Sequence, residues 1–236
     1  MNYTFQIYFD FSGYTDVVIG MGNLFGFEFP ENFNLPYCAR SVSDFWKRWH
    51  MSLTKWFTKY LYITLGGSRV KSVCRHIFNL FIVWLATGVW HGSSLNFLLW
   101  AMIYFILQLI EKYTDFITKL EKIHLNRIYT MFVIIICWAI FRASSLVEAL
   151  AYVGKLFGLG TSSAFLFQEL GFIKYYVIPL FFGTFLAFGG GNIIRKLQDK
   201  SKATGLIIDS IVFLLTVGSL ILIYGRGYSA PLYANF

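Results

Sequence analysis

Residues 77–110 read IFNLFIVWLATGVWHGSSLNFLLWAMIYFILQLI. No Asp, Glu, Lys or Arg interrupts them, and His91 is their only group that titrates near neutrality. An ionisable side chain inside such a run is costly and by default marks a functional site. The plain alternative is a histidine that caps the turn between two membrane helices, and position alone leaves both readings open. The run breaks at His91-Gly92-Ser93-Ser94, leaving apolar stretches of 14 residues (77–90) and 16 residues (95–110). A spanning helix needs roughly 17 to 25. Either both helices extend past these limits, or the break lies below the membrane surface. Irregular backbone at that depth is tolerated only where protein or water covers it, so the break points to a cavity near His91.

Composition agrees with a membrane setting. The 236 residues are 57% hydrophobic and 20% aromatic, with 14% charged and a mean hydropathy of +0.59. These values belong to integral membrane proteins. The net charge of +8 is not a nucleic-acid signature, because the cations sit in loops between apolar runs and form no basic stripe. Seven Lys/Arg fall in 47–75, four in 112–127 and four in 195–202, against Arg142, Lys155, Lys174 and Arg226 on the other side of the crossings. The asymmetry makes the first side cytoplasmic. Cys38, Cys74 and Cys137 are far apart and odd in number, which argues against a disulfide framework or a zinc site; no metal site is expected. The apolar start after Met1 lacks a basic n-region and is not a secretory signal.

Along the chain, 3–9 is apolar and aromatic and is expected to break at Asp10-Phe11-Ser12-Gly13-Tyr14-Thr15-Asp16, with an apolar run resuming over 17–27. The two acids either line a polar cavity or cap backbone amides at a helix start. Residues 28–36 are loop. Residues 41–63 carry the period of one helix face in Val42, Phe45, Trp46, Trp49, Leu53, Trp56, Phe57, Tyr60 and Leu61. With Ser41 or Ser43 as N-cap and Asp44–Arg48 as an i,i+4 pair, this reads as one amphipathic helix lying in the membrane interface. His50 sits at the edge of its apolar face, turned inward to a site or outward to headgroups. Gly66-Gly67-Ser68-Arg69 is a turn. Further spans are expected at 128–141, 172–188 (kinked at Pro179, broken by Gly189-Gly190-Gly191) and 206–224. A short amphipathic helix at 146–158 and a basic loop at 195–202 lie between them. The fold class is all-α: a polytopic transmembrane helical bundle with interfacial amphipathic and broken or re-entrant helices, one membrane domain over 1–236.

Several motifs occur together in order: Tyr8-Phe9-Asp10-Phe11-Ser12-Gly13-Tyr14-Thr15-Asp16, Leu24-Phe25-Gly26-Phe27, Pro30-Glu31-Asn32-Phe33-Asn34, Asp44-Phe45-Trp46-Lys47-Arg48-Trp49-His50-Met51-Ser52-Leu53, Tyr60-Leu61-Tyr62-Ile63 and Gly88-Val89-Trp90-His91-Gly92. This pattern resembles the membrane-bound O-acyltransferase family, closest to its alginate O-acetyltransferase branch, with the teichoic-acid D-alanyltransferases as cousins. The resemblance is strong from 8 to 157 and weaker beyond. Family members are about twice as long, with spans before the first motif, so the chain looks like the C-terminal half or an N-terminally truncated member. Thr64 and Ser68 replace the family's usual Pro and Asn, and 232–236 only approximates its aromatic ending.

The resemblance implies that His91 is the catalytic histidine and His50 the second functional one. It makes Asp10, Asp44, Trp46, Arg48 and Trp90 candidates for lining or supporting a substrate site. It also implies a multi-pass protein of the cell membrane with no tightly bound cofactor. Such a protein uses a thioester donor, acyl-coenzyme A or an acyl-carrier protein, and a polysaccharide or teichoic-acid-like acceptor outside, with envelope partner proteins completing the pathway. An alcohol is a poor nucleophile at neutral pH, and a positioned imidazole supplies the general base. No nucleophile-elbow serine is present, so direct transfer is favoured over an acyl-enzyme; Cys74 is the nearest rival nucleophile. Two other classes compete. One is a non-catalytic membrane fragment or acyl-relay scaffold. The other is a transporter with a histidine in a broken helix, which would be expected to carry the inverted repeats that this chain lacks.

Overall fold

The structure, a computed structural model, describes residues 2–160 and 163–226; the 232–236 ending lies outside them. All regular structure in the described residues is helical. The frame is an antiparallel hairpin of α4 (Val73–His91) and α5 (Leu95–Tyr113). Each has 19 residues, a rise of about 28 Å, enough to cross a hydrocarbon core of about 30 Å. Both helices therefore extend past their apolar runs. Ser72 starts α4, its Oγ accepting from the Arg75 N–H at 3.5 Å. The two axes approach closely at Gly88, where a Cβ would stand 3.0 Å from the Ala101 Cβ and 3.2 Å from the Phe97 carbonyl. The 25-residue segment Lys174–Gln198 and the 21-residue Lys202–Leu222 are also long and apolar enough to cross, giving four such helices among the described residues.

Two stretches depart from the sequence reading. The first helix, α1 (Asn2–Leu24), runs unbroken through Asp10-Phe11-Ser12-Gly13, so neither acid caps a helix start. A helical glycine costs about 1 kcal/mol. The packing of Ile7, Tyr8 and Phe11, all at or below 8% exposure, outweighs it, since fully burying one such side chain contributes about 1.5–3 kcal/mol. The second departure is 41–63, which is not one interfacial helix. It is α2 (Val42–Trp46), a sharp turn, then α3 (Met51–Phe57) continued by a π-helical turn, Thr58–Tyr62. His50 at the turn has φ +45°, ψ +53°, a left-handed conformation costing about 1–2 kcal/mol for a side chain with a Cβ. Neighbouring backbone holds it there: Asn34 N–H donates to the Arg48 carbonyl at 2.9 Å, and Met51 N–H donates to the Asn32 carbonyl at 2.9 Å.

The two arms of this broken helix enter and leave at one end of the α4–α5 hairpin. At the start of α2, the Glu111 carboxylate from the end of α5 accepts from Val42 N–H at 2.7 Å and Ser43 N–H at 2.8 Å. At the other limb's end, the Tyr62 hydroxyl lies 2.7 Å from His76 Nε2, near the start of α4. The apex, His50, packs instead toward Trp90 at the far end of α4, ring centroids 6.3 Å apart. The segment is thus re-entrant. Its periodicity names the buried residues of the first limb, Val42, Phe45, Trp46 and Trp49, but on the second limb only Phe57 is buried, and Trp56 and Tyr60 of the same face are exposed. Trp49 packs tilted against Trp138, ring centroids 4.8 Å apart, joining it to α7 (Asn126–Arg142) in an aromatic core that also takes in Tyr8, Tyr37 and Phe45.

The short α6 (Phe116–Lys122) precedes α7, and α8 (Leu146–Leu156) follows it, close to expectation. Past α9 (Ser163–Phe185), the helix breaks at Phe188 and Gly189 (φ +99°) in a π-turn, Leu186–Gly190. That is the predicted glycine break. The expected basic loop at 195–202 is instead mostly helix: α10 (Gly191–Gln198) leads after a three-residue turn into α11 (Lys202–Arg226).

Candidate functional site

His91 is the last residue of α4 and is 6% exposed. Its ring is boxed by Trp90 (centroids 4.7 Å), Trp100 (5.1 Å), Phe141 (5.1 Å) and Phe97 (6.2 Å). Shape sets this position. Gly92, at φ +153°, leaves room for Phe97, whose ring carbons would lie 2.7 Å from a Cβ there. Asn96 on α5 donates to the Ala143 carbonyl at 2.8 Å, tying the Phe141 end of α7 to the same corner. His91 Nδ1 is buried with no hydrogen-bond partner among the described residues. Leaving such a group unmatched costs about 1–3 kcal/mol, so the box is built around a polar atom that its own walls do not satisfy.

His50 is held by polar contacts instead. Its Nδ1 lies 3.2 Å from Asn32 Oδ1 and 3.3 Å from Ser52 Oγ. The Asn32 atom also receives the Ser52 backbone N–H at 3.1 Å and the Ser52 hydroxyl at 2.9 Å. A backbone N–H only donates, so that atom is the oxygen, an acceptor. His50 Nδ1 therefore carries the proton, and Nε2 carries the lone pair. Burial pushes the His50 pKa down to about 4, so the ring is neutral at ordinary pH. Phe11 from α1 stands edge-on to it at 4.7 Å.

The structure brings His91, His50 and Trp90 together: Trp90 contacts both imidazoles, and its own ring is 54% exposed. Trp46 stands behind Trp100, 5.6 Å away, and lines a cavity of about 340 Å³ between the re-entrant arms and the α4–α5 hairpin. Along α4 its lining reaches Thr87, one turn before His91. Asp10 is on α1, next to the Phe11 that touches His50. Asp44 and Arg48 strap the re-entrant turn: they pair at 2.9 Å, Asp44 also accepts from Arg40 N–H at 3.0 Å, and Arg48 donates to the Asn34 carbonyl at 3.4 Å. Sequence reasoning missed Asn32, which orients His50, and Glu111, which seats α2. Asn32 lies within a quoted motif, which is the one signal that pointed to it; Glu111 directly follows the apolar run 95–110, and nothing in the sequence tied it to α2.

Residues 1–151 match the family model for MBOAT, the membrane-bound O-acyltransferase family. A probable alginate O-acetylase AlgI of Pseudomonas putida is 32% identical over 99% of this chain and 52% of its own length. That of Pseudomonas syringae pv. tomato is 42% identical over 67% of this chain and 30% of its own. The peptidoglycan O-acetyltransferase of Helicobacter pylori is 38% identical over 72% of this chain and 33% of its own. The chain thus spans about half the length, or less, of these curated relatives. With a model match over more than half its residues and four helices able to cross a bilayer, the chain belongs to the membrane-bound O-acyltransferase family as a multi-pass membrane protein.

Proposed function

We propose that this protein moves an acyl group, acetyl in the simplest case, from a cytoplasmic thioester to a hydroxyl of an extracytoplasmic envelope polysaccharide, with His91 as general base. One observation carries the reading: two imidazoles meet at one end of the α4–α5 hairpin, one of them with a buried, unpartnered Nδ1. The names of the relatives, alginate and peptidoglycan O-acetylating enzymes, support the acyl group and the acceptor class. The cations near the start of α4, the end of α5 and the start of α7 favour placing that end in the cytoplasm, with His91 toward the opposite face.

In the proposed step His91 takes the acceptor's hydroxyl proton as that oxygen attacks the thioester carbonyl. A new C–O bond forms, the tetrahedral oxyanion collapses, and the C–S bond breaks. The departing sulfur takes the proton back from His91, leaving ester and free thiol. General-base assistance of this kind contributes about 10²–10⁴-fold. His50 orients the acceptor: with Nδ1 engaged by Asn32, its Nε2 accepts a hydrogen bond from a hydroxyl. The same tautomer argues against its donating to the oxyanion. The test is transfer of labelled acetyl from acetyl-coenzyme A or an acetylated carrier protein to envelope polysaccharide by the full-length protein in membranes. His91→Ala is expected to lower the rate by at least about a hundredfold. Unchanged transfer by that variant would remove His91 from the chemistry.

A further inference from the structure

His76, near the other end of α4, takes no part in the site above, yet it is 4% exposed and hydrogen-bonded through both ring nitrogens. Its Nε2 lies 2.7 Å from the Tyr62 hydroxyl and 2.9 Å from Lys112 Nζ, and its Nδ1 lies 2.6 Å from the Tyr113 hydroxyl. An ammonium only donates, so Nε2 is the acceptor and Nδ1–H donates to Tyr113. Tyr62 and Lys112 then compete for one lone pair. Tyr113, having accepted from His76, can offer its own O–H to a further acceptor, and Lys112 can offer two more N–H groups. Both residues are exposed. Among the described residues no carboxylate lies within 4 Å of Lys112 Nζ, and Glu111 beside it is engaged with the start of α2. The cluster therefore presents outward donors and a positive charge.

Its surroundings say what kind of anion reaches it. Val73 begins α4 and Tyr113 ends α5, so the cluster lies where these two helices leave the hydrocarbon. Ile106, Ile110 and Tyr113 follow one face of α5 at helical spacing and are 53%, 38% and 42% exposed. The stripe spans about 10 Å of rise and ends at the Tyr113 hydroxyl. In a bilayer such a face meets acyl chains, and a tyrosine at its end sits at headgroup level. No Asp or Glu occurs between Asp44 and Glu111, whereas Arg69, Lys71 and Arg75 lead into α4. Cations gathered beside a crossing helix attract anionic headgroups. We propose that the Tyr62–His76–Lys112–Tyr113 cluster binds the phosphate of an anionic membrane phospholipid, with an acyl chain along Ile110 and Ile106. The Lys112 ammonium and the Tyr113 hydroxyl donate to the phosphate oxygens, the first of these bonds strengthened by charge on both partners. A soluble phosphate offers the same oxygens but gains nothing from the apolar stripe. With Lys112 drawn to the lipid, the His76 lone pair goes to Tyr62 alone, and the end of the re-entrant segment is fastened to the hairpin. This assignment stands apart from the acyl-transfer reading and does not depend on it.

The test is native mass spectrometry of the full-length protein in detergent, titrated with phosphatidylglycerol or with phosphatidylcholine of the same chains. Wild type is expected to hold one phosphatidylglycerol about tenfold more tightly than phosphatidylcholine, the worth of a charge-assisted hydrogen bond. In Lys112→Gln and Tyr113→Phe that preference falls toward one, while Lys119→Gln on α6 retains it. Tyr113→Phe removes a single hydroxyl and keeps the ring, so it reads the site even if Lys112→Gln fails to fold. A wild-type preference near one overturns the proposal. Equal loss in all three variants describes a diffuse cationic surface and also overturns it. Inorganic phosphate is the control for a soluble ligand. If it stabilises wild type as much as phosphatidylglycerol does, and does not stabilise Tyr113→Phe, the cluster belongs to a soluble anion and the lipid assignment falls. Hydrogen exchange in lipid nanodiscs reads the fastening. Residues 58–65 are expected to exchange more slowly with phosphatidylglycerol than with phosphatidylcholine in wild type, and equally in both lipids in Tyr113→Phe. The same slowing in that variant assigns the effect to bulk surface charge and removes the site.

Discussion

Replacing Asn32 by Asp is a sharp perturbation of the site, because it changes one atom of the group that holds His50. The Asn32 oxygen lies 3.2 Å from His50 Nδ1. A carboxylate there and an imidazolium would attract by about 5 kcal/mol at an effective dielectric near 20, and 1.36 kcal/mol moves a pKa by about one unit. Desolvating the new carboxylate offsets part of this. The expected rise is about two to three units, from about 4 to about 6–7. The sign for stability follows. In the wild-type fold the His50 pKa lies below its ordinary 6.5, so the unfolded chain binds more protons between those values. The stability associated with the neutral ring is complete above 6.5 and is lost as pH falls toward 4. In Asn32→Asp the two values nearly coincide, and that acid-side loss disappears.

Function moves the other way. Protonation of Nε2 removes the lone pair proposed to hold the acceptor, so the acid limb of the transfer rate should rise by the same two to three pH units. The assay is a histidine-labelled NMR titration of the purified protein, tractable with four histidines. Wild-type His50 should show a protonated Nδ1 and an unprotonated Nε2 from pH 8 down to about pH 5. A variant whose His50 still titrates near 4, or a wild-type His50 protonated on Nε2, would refute the hydrogen-bond assignment and the orienting role built on it.

Other perturbations probe the frame. Gly92→Ala forces a Cβ to 2.7 Å from the Phe97 ring at φ +153°. It should cost about 1–3 kcal/mol and displace Phe97 from His91, read as a lower thermal midpoint together with a larger fall in kcat than in KM. Gly88→Val places a Cβ 3.0 Å from Ala101 and 3.2 Å from a backbone carbonyl. Overpacking of about 1–3 kcal/mol should spread α4 from α5, visible as faster hydrogen exchange in both helices. Glu111→Gln keeps the size of the group but removes the charge from two backbone donors at 2.7 and 2.8 Å. A loss of about 1–3 kcal/mol should appear as increased proteolysis between 38 and 50.

The α4–α5 hairpin was legible because a membrane helix announces itself by what it lacks, and no Asp, Glu, Lys or Arg interrupts 77–110. The turn at His91-Gly92 was legible for the same reason. The break at His50 was not. Lys47-Arg48-Trp49-His50 contains neither Gly nor Pro, and the groups that stabilise a left-handed turn there belong to Asn32 and Asn34, far back in the chain. Local periodicity marked the buried face of the first limb but not of the second, where Trp56 and Tyr60 are exposed, because it carried no information that the helix doubles back. The continuity of α1 was hidden for the opposite reason. Asp10, Gly13 and Asp16 look like a break, and tertiary burial of Ile7, Tyr8 and Phe11 overrides them.

The two imidazoles are fixed by different physics, and this separates their responses. His91 is positioned by shape: Gly88 and Gly92 admit close neighbours, and the rings of Phe97, Trp100 and Phe141 enclose it. Packing of this kind is short-ranged and indifferent to pH or salt. His50 is positioned by hydrogen bonds from a loop that also holds its strained backbone. Its geometry depends on proton occupancy and on a few backbone contacts, each worth about 1 kcal/mol. A general base needs constant placement and a vacant polar atom, which the packed box supplies. A group that receives and releases a large acceptor gains from an anchor that can loosen, and a strained turn on a re-entrant segment is such an anchor. Trp90, half exposed between them, is where acceptor and donor would have to meet, and its two ring contacts make it the point through which a shift of the His50 turn is felt at His91.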